Sequence, residues 1–182
     1  RSDIIGYGNY WDSGKIQSDR TVNIEYKGEP LQSSKAFFWK VQVWDQIGEA
    51  KRWSNQGTFH TGILHESEWK AHWITAGDTT VSSPLLRKQF NLEGKLEEAI
   101  AHVTGIGYYE FYLNGKKVGD HVLDPAVTNY DRRVLYSTYD VKDQLTSGFN
   151  VAGIILGNGA SRMQKLGNRY SIMQLEIKFA DG

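Results

Sequence analysis

The run YYEFYL (108–113), followed directly by Asn114-Gly115, limits what this chain can fold into more than any other stretch. Tyr109, Phe111 and Leu113 fall on one side, and Tyr108, Glu110 and Tyr112 on the other. That period of two marks a half-buried β-strand rather than a helix. Asn-Gly supplies the two positive-φ residues of a type I′ turn, so a hairpin is expected, with KKVGDHVL (116–123) as the return strand. The same alternation recurs along the chain. Strands are expected at TVNIEY (21–26), FFWKVQVWD (37–45), QGTFHTG (56–62), PLLRKQF (84–90), AIAHVTG (99–105), VLYSTYDV (134–141), NVAGIIL (150–156) and MQLEIKF (173–179). In the second of these Trp39, Val41 and Val43 share one face, opposite Lys40 and Gln42; in the last, Leu175, Ile177 and Phe179 face inward. VKDQLTSG (141–148) reads as one helical turn stopped by Gly148. The fold class is all-β.

Two blocks separate in this pattern. Residues 1–63 carry Trp39, Asp45, Gly48 and Trp53-Ser54 in the order of the second half of an immunoglobulin-like or fibronectin III-like sandwich. Only three or four strands are countable there, whereas such a sandwich needs about seven. A partial sandwich is therefore expected, with strands missing upstream. Residues 64–74 (LHESEWKAHWI) form the connection, Ser67 capping a turn and Trp69 and Trp73 plugging the seam. Residues 75–182 hold six or seven strands with irregular loops, a jelly-roll (galactose-binding-like) β-sandwich.

Composition removes several functions. Lys and Arg total 21 against 21 Asp and Glu, without the basic surplus of a nucleic-acid binder. No apolar run approaches the ~20 residues that span a bilayer, so no membrane partner is expected. The absence of cysteine excludes disulfides, thiol catalysis and Cys-ligated zinc. His60, His65 and His72 lack metal-ligand spacing. Gly105-Ile106-Gly107 and Gly157-Asn158-Gly159 lack the remaining residues of phosphate-binding loops and read as tight bends. No metal and no cofactor are expected.

Longer motifs carry a resemblance. Trp11-Asp12-Ser13-Gly14-Lys15, Tyr26-x-Gly28-x-Pro30-Leu31-x-Ser33 and Trp39-x-Val41-x-Val43-Trp44-Asp45 resemble the bacterial α-L-rhamnosidases of glycoside hydrolase family 78. So do Trp69-x-Ala71-x-Trp73-Ile74, Pro84-Leu85-Leu86-Arg87-Lys88, Asn150 and Leu156-Gly157-Asn158-Gly159. The chain departs from the family at Ala160, where an aromatic is usual, and at Ala126-Val127. The resemblance implies noncatalytic N-terminal β-domains, an immunoglobulin-like module and then a jelly roll truncated at its C-terminal end. It places the inverting hydrolysis of terminal α-L-rhamnosides in a downstream (α/α)₆ barrel of the same polypeptide. That barrel is the first expected partner, and a rhamnose-containing glycan the second.

The loop DPAVTNYDRR (124–133) exceeds the usual hairpin loop of ~2–5 residues, and long loops in compact domains often form interfaces or sites. Asp124, Thr128, Asn129, Tyr130, Asp131 and Arg132 are the candidate carbohydrate- or interdomain-binding residues. An inverting glycosidase needs two carboxyls ~6.5–9.5 Å apart. Asp120, Asp124 and Asp131 invite that reading, but Asp and Asn also shape turns on their own backbone. Turn architecture ranks first, contact with the barrel second and an accessory sugar site third; no catalytic residue is expected. Tyr108 and Tyr112 present an aromatic face suited either to packing or to stacking on a sugar ring. A stand-alone carbohydrate-binding or adhesion module is the rival reading, and a small self-contained hydrolase a weaker third.

Overall fold

The computed structural model describes residues 8–20, 22–78, 80–161 and 167–181. The chain divides into two compact units, one ending at Thr61 and the other starting at Gly62. Among the described residues the only helical segments are three single 3₁₀ turns, at Glu66–Glu68, Lys142–Gln144 and Gly159–Ser161. None is long and apolar enough to cross a membrane. The protein is all-β.

The first unit holds one two-stranded antiparallel sheet, β1 (Ala36–Trp39) against β2 (Gly57–His60). Phe37 is buried and stacks on Phe59, its partner in register, with ring centroids 5.5 Å apart. Beyond Trp39 the two arms stay together through single bonds. Ser54 N–H donates to Val41 O, Lys51 N–H to Val43 O and Asp45 N–H to Glu49 O. Asp45 closes the tip, accepting from the backbones of Ile47 and Glu49 and pairing with Lys51 Nζ at 2.6 Å. These bonds hold its carboxyl below the usual range, the Lys51 bond first.

Two expectations for this unit change. The stretch expected as a strand at 21–26 forms none among its described residues: Asn23 has φ 56°, and Val22 and Ile24 are exposed. The strand expected over 37–45 ends at Trp39, and although Phe37 is buried, Trp39, Val41 and Val43 stay about half exposed. Alternation records which face a strand offers, while burial depends on what packs against that face.

The second unit is a β-sandwich. Its four-stranded sheet has the order β3 (Leu85–Leu92), β8 (Gly148–Gly157), β5 (Tyr108–Leu113) and β6 (Lys116–Lys117). Its three-stranded sheet has the order β7 (Ser137–Asp140), β4 (Leu96–Ile106) and β9 (Tyr170–Phe179), and all pairings are antiparallel. One core joins them: Tyr109, Phe111, Leu113, Ala152, Ile154 and Leu156 from one sheet meet Ala99, Ala101 and Val103 from the other. Met173, Leu175, Ile177 and Phe179 pack against it, as the alternation of β9 required.

The Asn-Gly hairpin forms as expected, with Asn114 at φ 49° and Gly115 at φ 79°. Its return strand is shorter than expected and pairs only over Lys116 and Lys117. Gly119 (φ 71°) then turns the chain across Tyr139, and a Cβ there would lie 2.7 Å from the Tyr139 ring. The turn at 142–144 ends at Leu145, and Gly148 opens β8 instead of stopping a helix.

The stretch expected as a connection lies against the outer face of the three-stranded sheet. Its 3₁₀ turn is closed by Glu68, whose carboxylate accepts from His65 N–H at 3.2 Å, so Ser67 is not the cap. Gln174 on β9 holds the segment by accepting from Lys70 N–H (2.7 Å) and Ala71 N–H (3.2 Å) and donating to Glu68 O (3.0 Å). Trp69 meets His102 and Tyr136 edge to face, and Tyr136 donates to Ile63 O. Trp73 is 43% exposed. We call residues 63–75 the strap.

Candidate functional site

The loop joining β6 to β7 is fastened to one end of the sandwich by Asp124. Its Oδ2 accepts from His121 Nδ1 (2.8 Å), Ser137 Oγ (3.0 Å) and Tyr139 Oη (3.3 Å). Its backbone carbonyl accepts from Tyr109 N–H at the start of β5. Tyr109 Oη lies 3.3 Å from Tyr139 Oη. Because Tyr139 donates to the carboxylate, the consistent arrangement has Tyr109 donating to Tyr139. Burial raises the pKa of both phenols, so both remain protonated donors at neutral pH. A carboxylate taking three donors while partly shielded from water is a strong fastening.

The other candidate residues divide. Thr128 Oγ1 donates to Arg133 O at 2.6 Å. Asn129 Oδ1 accepts from Asp131 N–H at 3.1 Å, and Asn129 O accepts from the backbones of Arg132 and Arg133. Thr128 and Asn129 therefore direct their polar groups onto the loop's own backbone, the turn chemistry expected of these residue types. Tyr130 is buried. Asp131 and Arg132 are exposed. The structure thus brings Asp124, Thr128, Asn129 and Tyr130 into one ordered corner and leaves Asp131 and Arg132 at its surface.

Beside Asp131, Arg132 and Arg133, this corner also offers apolar side chains to solvent. Val122 is 76% and Leu123 68% exposed, with Ala126 and Val127 beside them. Leu123 has φ 59°, a left-handed conformation costing roughly 1–2 kcal/mol for a residue with a Cβ. Strain of this kind persists where neighbouring contacts over-determine the backbone, here the bonds of Asp124 next in sequence. The exposure of these four residues gave no sequence signal apart from Ala126-Val127, the point of departure from the family pattern.

Two networks were not anticipated from the sequence. Asn150 is fully buried: it donates to Thr146 O and Gly148 O and accepts from Thr146 N–H and Asn114 Nδ2. His102 is also fully buried, its Nδ1 lying 3.0 Å from Thr138 Oγ1. Burial lowers the His102 pKa, partly offset by Glu176. A polar residue on the core parity of a strand is the signal for Asn150, since 150 shares its face with Ala152, Ile154 and Leu156. Among the described residues no group of His, Asp and Glu is placed to hold a metal ion.

On the outer face of the four-stranded sheet, Tyr108 and Tyr112 are half-buried and pair in register with Gly157 and Gly153. Tyr112 Oη donates to Glu110 at 2.7 Å, and Lys117 Nζ pairs with the same carboxylate at 2.9 Å. The aromatic face is thus neither a central covered core nor bare.

Comparison with known proteins assigns these units. Residues 94–182 match the family described as "Alpha-L-rhamnosidase N-terminal domain", and residues 2–65 match "Rha78A-like, N-terminal immunoglobulin domain". A relative from Formosa agariphila, an alpha-L-rhamnosidase, is 39% identical over 177 residues, covering 84% of this chain and 19% of its own. The solved alpha-L-rhamnosidase of Dictyoglumus thermophilum superposes with a TM-score of 0.85 at 36% identity, over 96% of this chain and 22% of that one. That of Aspergillus terreus superposes at 0.73 with 27% identity, over 85% and 20%. The chain therefore spans about a fifth of the length of the relatives it matches. By its two domain matches and its superposition, the chain belongs to the α-L-rhamnosidases of glycoside hydrolase family 78, as their N-terminal immunoglobulin-like and β-sandwich region.

Proposed function

We propose that this chain is the noncatalytic accessory region of an α-L-rhamnosidase that hydrolyses terminal α-L-rhamnosides. In this reading the catalytic (α/α)₆ barrel lies downstream in the same polypeptide, and the 118–133 loop is a surface on which the barrel rests. The domain limits carried by the proposal are 1–63, 64–74 and 75–182. The observation that carries it is the outward exposure of three apolar side chains in the loop. Asp124, Thr128 and Asn129 turn their polar groups inward, while Val122, Leu123 and Val127 face water on a backbone fixed to a rigid sandwich. A sugar site needs its hydrogen-bonding groups aimed outward; a protein interface wants apolar anchors on a preorganised base.

Covering a Val or Leu side chain contributes about 1.5–3 kcal/mol, so a triple change at such a surface is measurable. The test compares the full-length parent enzyme with its Val122→Ser, Leu123→Ser, Val127→Ser variant. Lower thermal stability or lower aryl α-L-rhamnoside hydrolysis is expected in the parent, with the melting of this chain alone unchanged. Unaltered stability and activity in the parent would remove the docking role.

A second reading, a carbohydrate-binding or adhesion module, rests on the pairing of Tyr108 and Tyr112 with glycines. Gly157 and Gly153 set no cross-strand side chain over the two half-buried rings, so a sugar ring could stack on the part of them that stays accessible. Titration of this chain with rhamnose or rhamnose-containing glycans by NMR tests it. Shifts at Tyr112 that vanish in Tyr112→Ala support binding; no shifts exclude it.

A further inference from the structure

The chain contains two Asn-Gly pairs, Asn114-Gly115 and Asn158-Gly159. Asn-Gly is the dipeptide most open to loss of the side-chain amide, because glycine leaves its own nitrogen sterically accessible. The backbone nitrogen of residue i+1, once deprotonated, attacks the carboxamide carbon. A C–N bond closes a five-membered imide, and the C–NH₂ bond breaks to release ammonia. Water then adds to one of the two imide carbonyls and gives aspartate or isoaspartate.

At Gly115 the approach is open, since even a Cβ there would meet nothing within 4 Å. The carboxamide of Asn114, however, is held at every polar atom. Nδ2 donates to Gln144 O and to Asn150 Oδ1, each at 2.9 Å, and Oδ1 accepts from Val151 N–H at 2.9 Å. Asn150, the far side of this clasp, is itself fully buried and bonded to Thr146 and Gly148. Closing the imide requires the carboxamide carbon to swing onto the Gly115 nitrogen, which breaks all three Asn114 bonds at once.

We propose that Asn114 is a modification site masked by the fold: its conversion to aspartate and isoaspartate is held off by the Asn114–Asn150 clasp and proceeds when this end of the sandwich opens. The change is one-way. A carboxylate at position 114 has acceptors only, so it cannot donate to Gln144 O or Asn150 Oδ1, and both oxygens would face negative charge. A single opening event long enough for the chemistry therefore leaves the β5–β6 hairpin unclasped afterwards.

The test incubates the folded chain, the chain in concentrated urea and the folded Asn150→Ala variant at mildly alkaline pH. Peptide mapping by mass spectrometry reads acid formation at 114, and the Asn158-Gly159 peptide in urea gives the uninhibited rate. Modification at 114 is expected about tenfold or more slower in the folded chain than in urea, as when opening costs ~1.4 kcal/mol. Asn150→Ala is expected to recover most of that factor while circular dichroism stays native. If this variant does not fold, wild type at sub-denaturing urea replaces it: the rate at 114 should rise in step with exchange of the Val151 amide. Equal rates at 114 in folded chain and urea overturn the proposal. So does a folded Asn150→Ala variant that stays slow, or a rate that does not follow Val151 exchange.

Discussion

Replacing Gln174 by alanine should release the strap without unfolding the sandwich. Gln174 is 9% exposed and its carboxamide makes four bonds: it accepts from Lys70 and Ala71 N–H and donates to Glu68 O and Glu176 Oε1. Three of these partners are strap backbone groups that lose their partner in the variant. A net hydrogen bond contributes about 1 kcal/mol, and an orphaned buried group costs about 1–3 kcal/mol. Lys70 is exposed and Ala71 only partly covered, so water replaces some of the loss. We expect the strap to be weakened by ~2–4 kcal/mol, which would speed exchange of the Lys70 and Ala71 amides between ~30-fold and ~1000-fold. Exchange in β4 and β8, held by their own ladders, should change little. Gln174→Glu should sit between, keeping both acceptor roles but losing both donor roles and placing a like charge beside Glu176. Hydrogen exchange read by NMR distinguishes these outcomes. Unchanged Lys70 and Ala71 protection in Gln174→Ala would mean that Trp69 packing on His102 and Tyr136, not the carboxamide, holds the strap.

Phe111→Ala should destabilise the second unit by about 3–5 kcal/mol in urea denaturation, since Phe111 is 1% exposed at the centre of the core. The fold holds His102 neutral below the ordinary histidine pKa of ~6.5, whereas the unfolded chain takes up a proton there. Its contribution is therefore present above ~6.5 and lost as pH falls toward the depressed folded value, so urea midpoints should drop faster below neutrality in wild type than in His102→Gln. Asp124→Ala removes an acceptor shared by three donors and should cost ~2–4 kcal/mol, while Asp124→Asn, which keeps one acceptor oxygen, should cost less. Paired urea curves for the two variants check that order.

The legible parts of the fold were those where burial sets the period. β5 and β9 each lie in the sandwich with one face on the core, and their alternation grouped the residues that meet it. Asn114-Gly115 was legible because a type I′ turn leaves few residue choices. TVNIEY alternates equally well, yet no strand forms there among the described residues, since alternation names a face without naming what covers it. Partner choice was less legible still. Gln174 reads as a solvent-facing residue of β9, and only the return of a segment 104 residues earlier buries it. The candidate loop was legible by its length and composition, but which of its side chains face water was not. Asp124, Thr128 and Asn129 serve the loop, while Val122, Leu123 and Val127 face water beside Asp131 and Arg132.

The most direct test measures hydrolysis of an aryl α-L-rhamnoside by this chain alone, beside its Asp124→Ala variant. The carboxylate of Asp124 is occupied by His121, Ser137 and Tyr139 as a fastening. An accessory region should therefore give the buffer rate in both samples. Turnover above buffer that disappears with Asp124→Ala would place the chemistry in this corner and contradict the noncatalytic assignment.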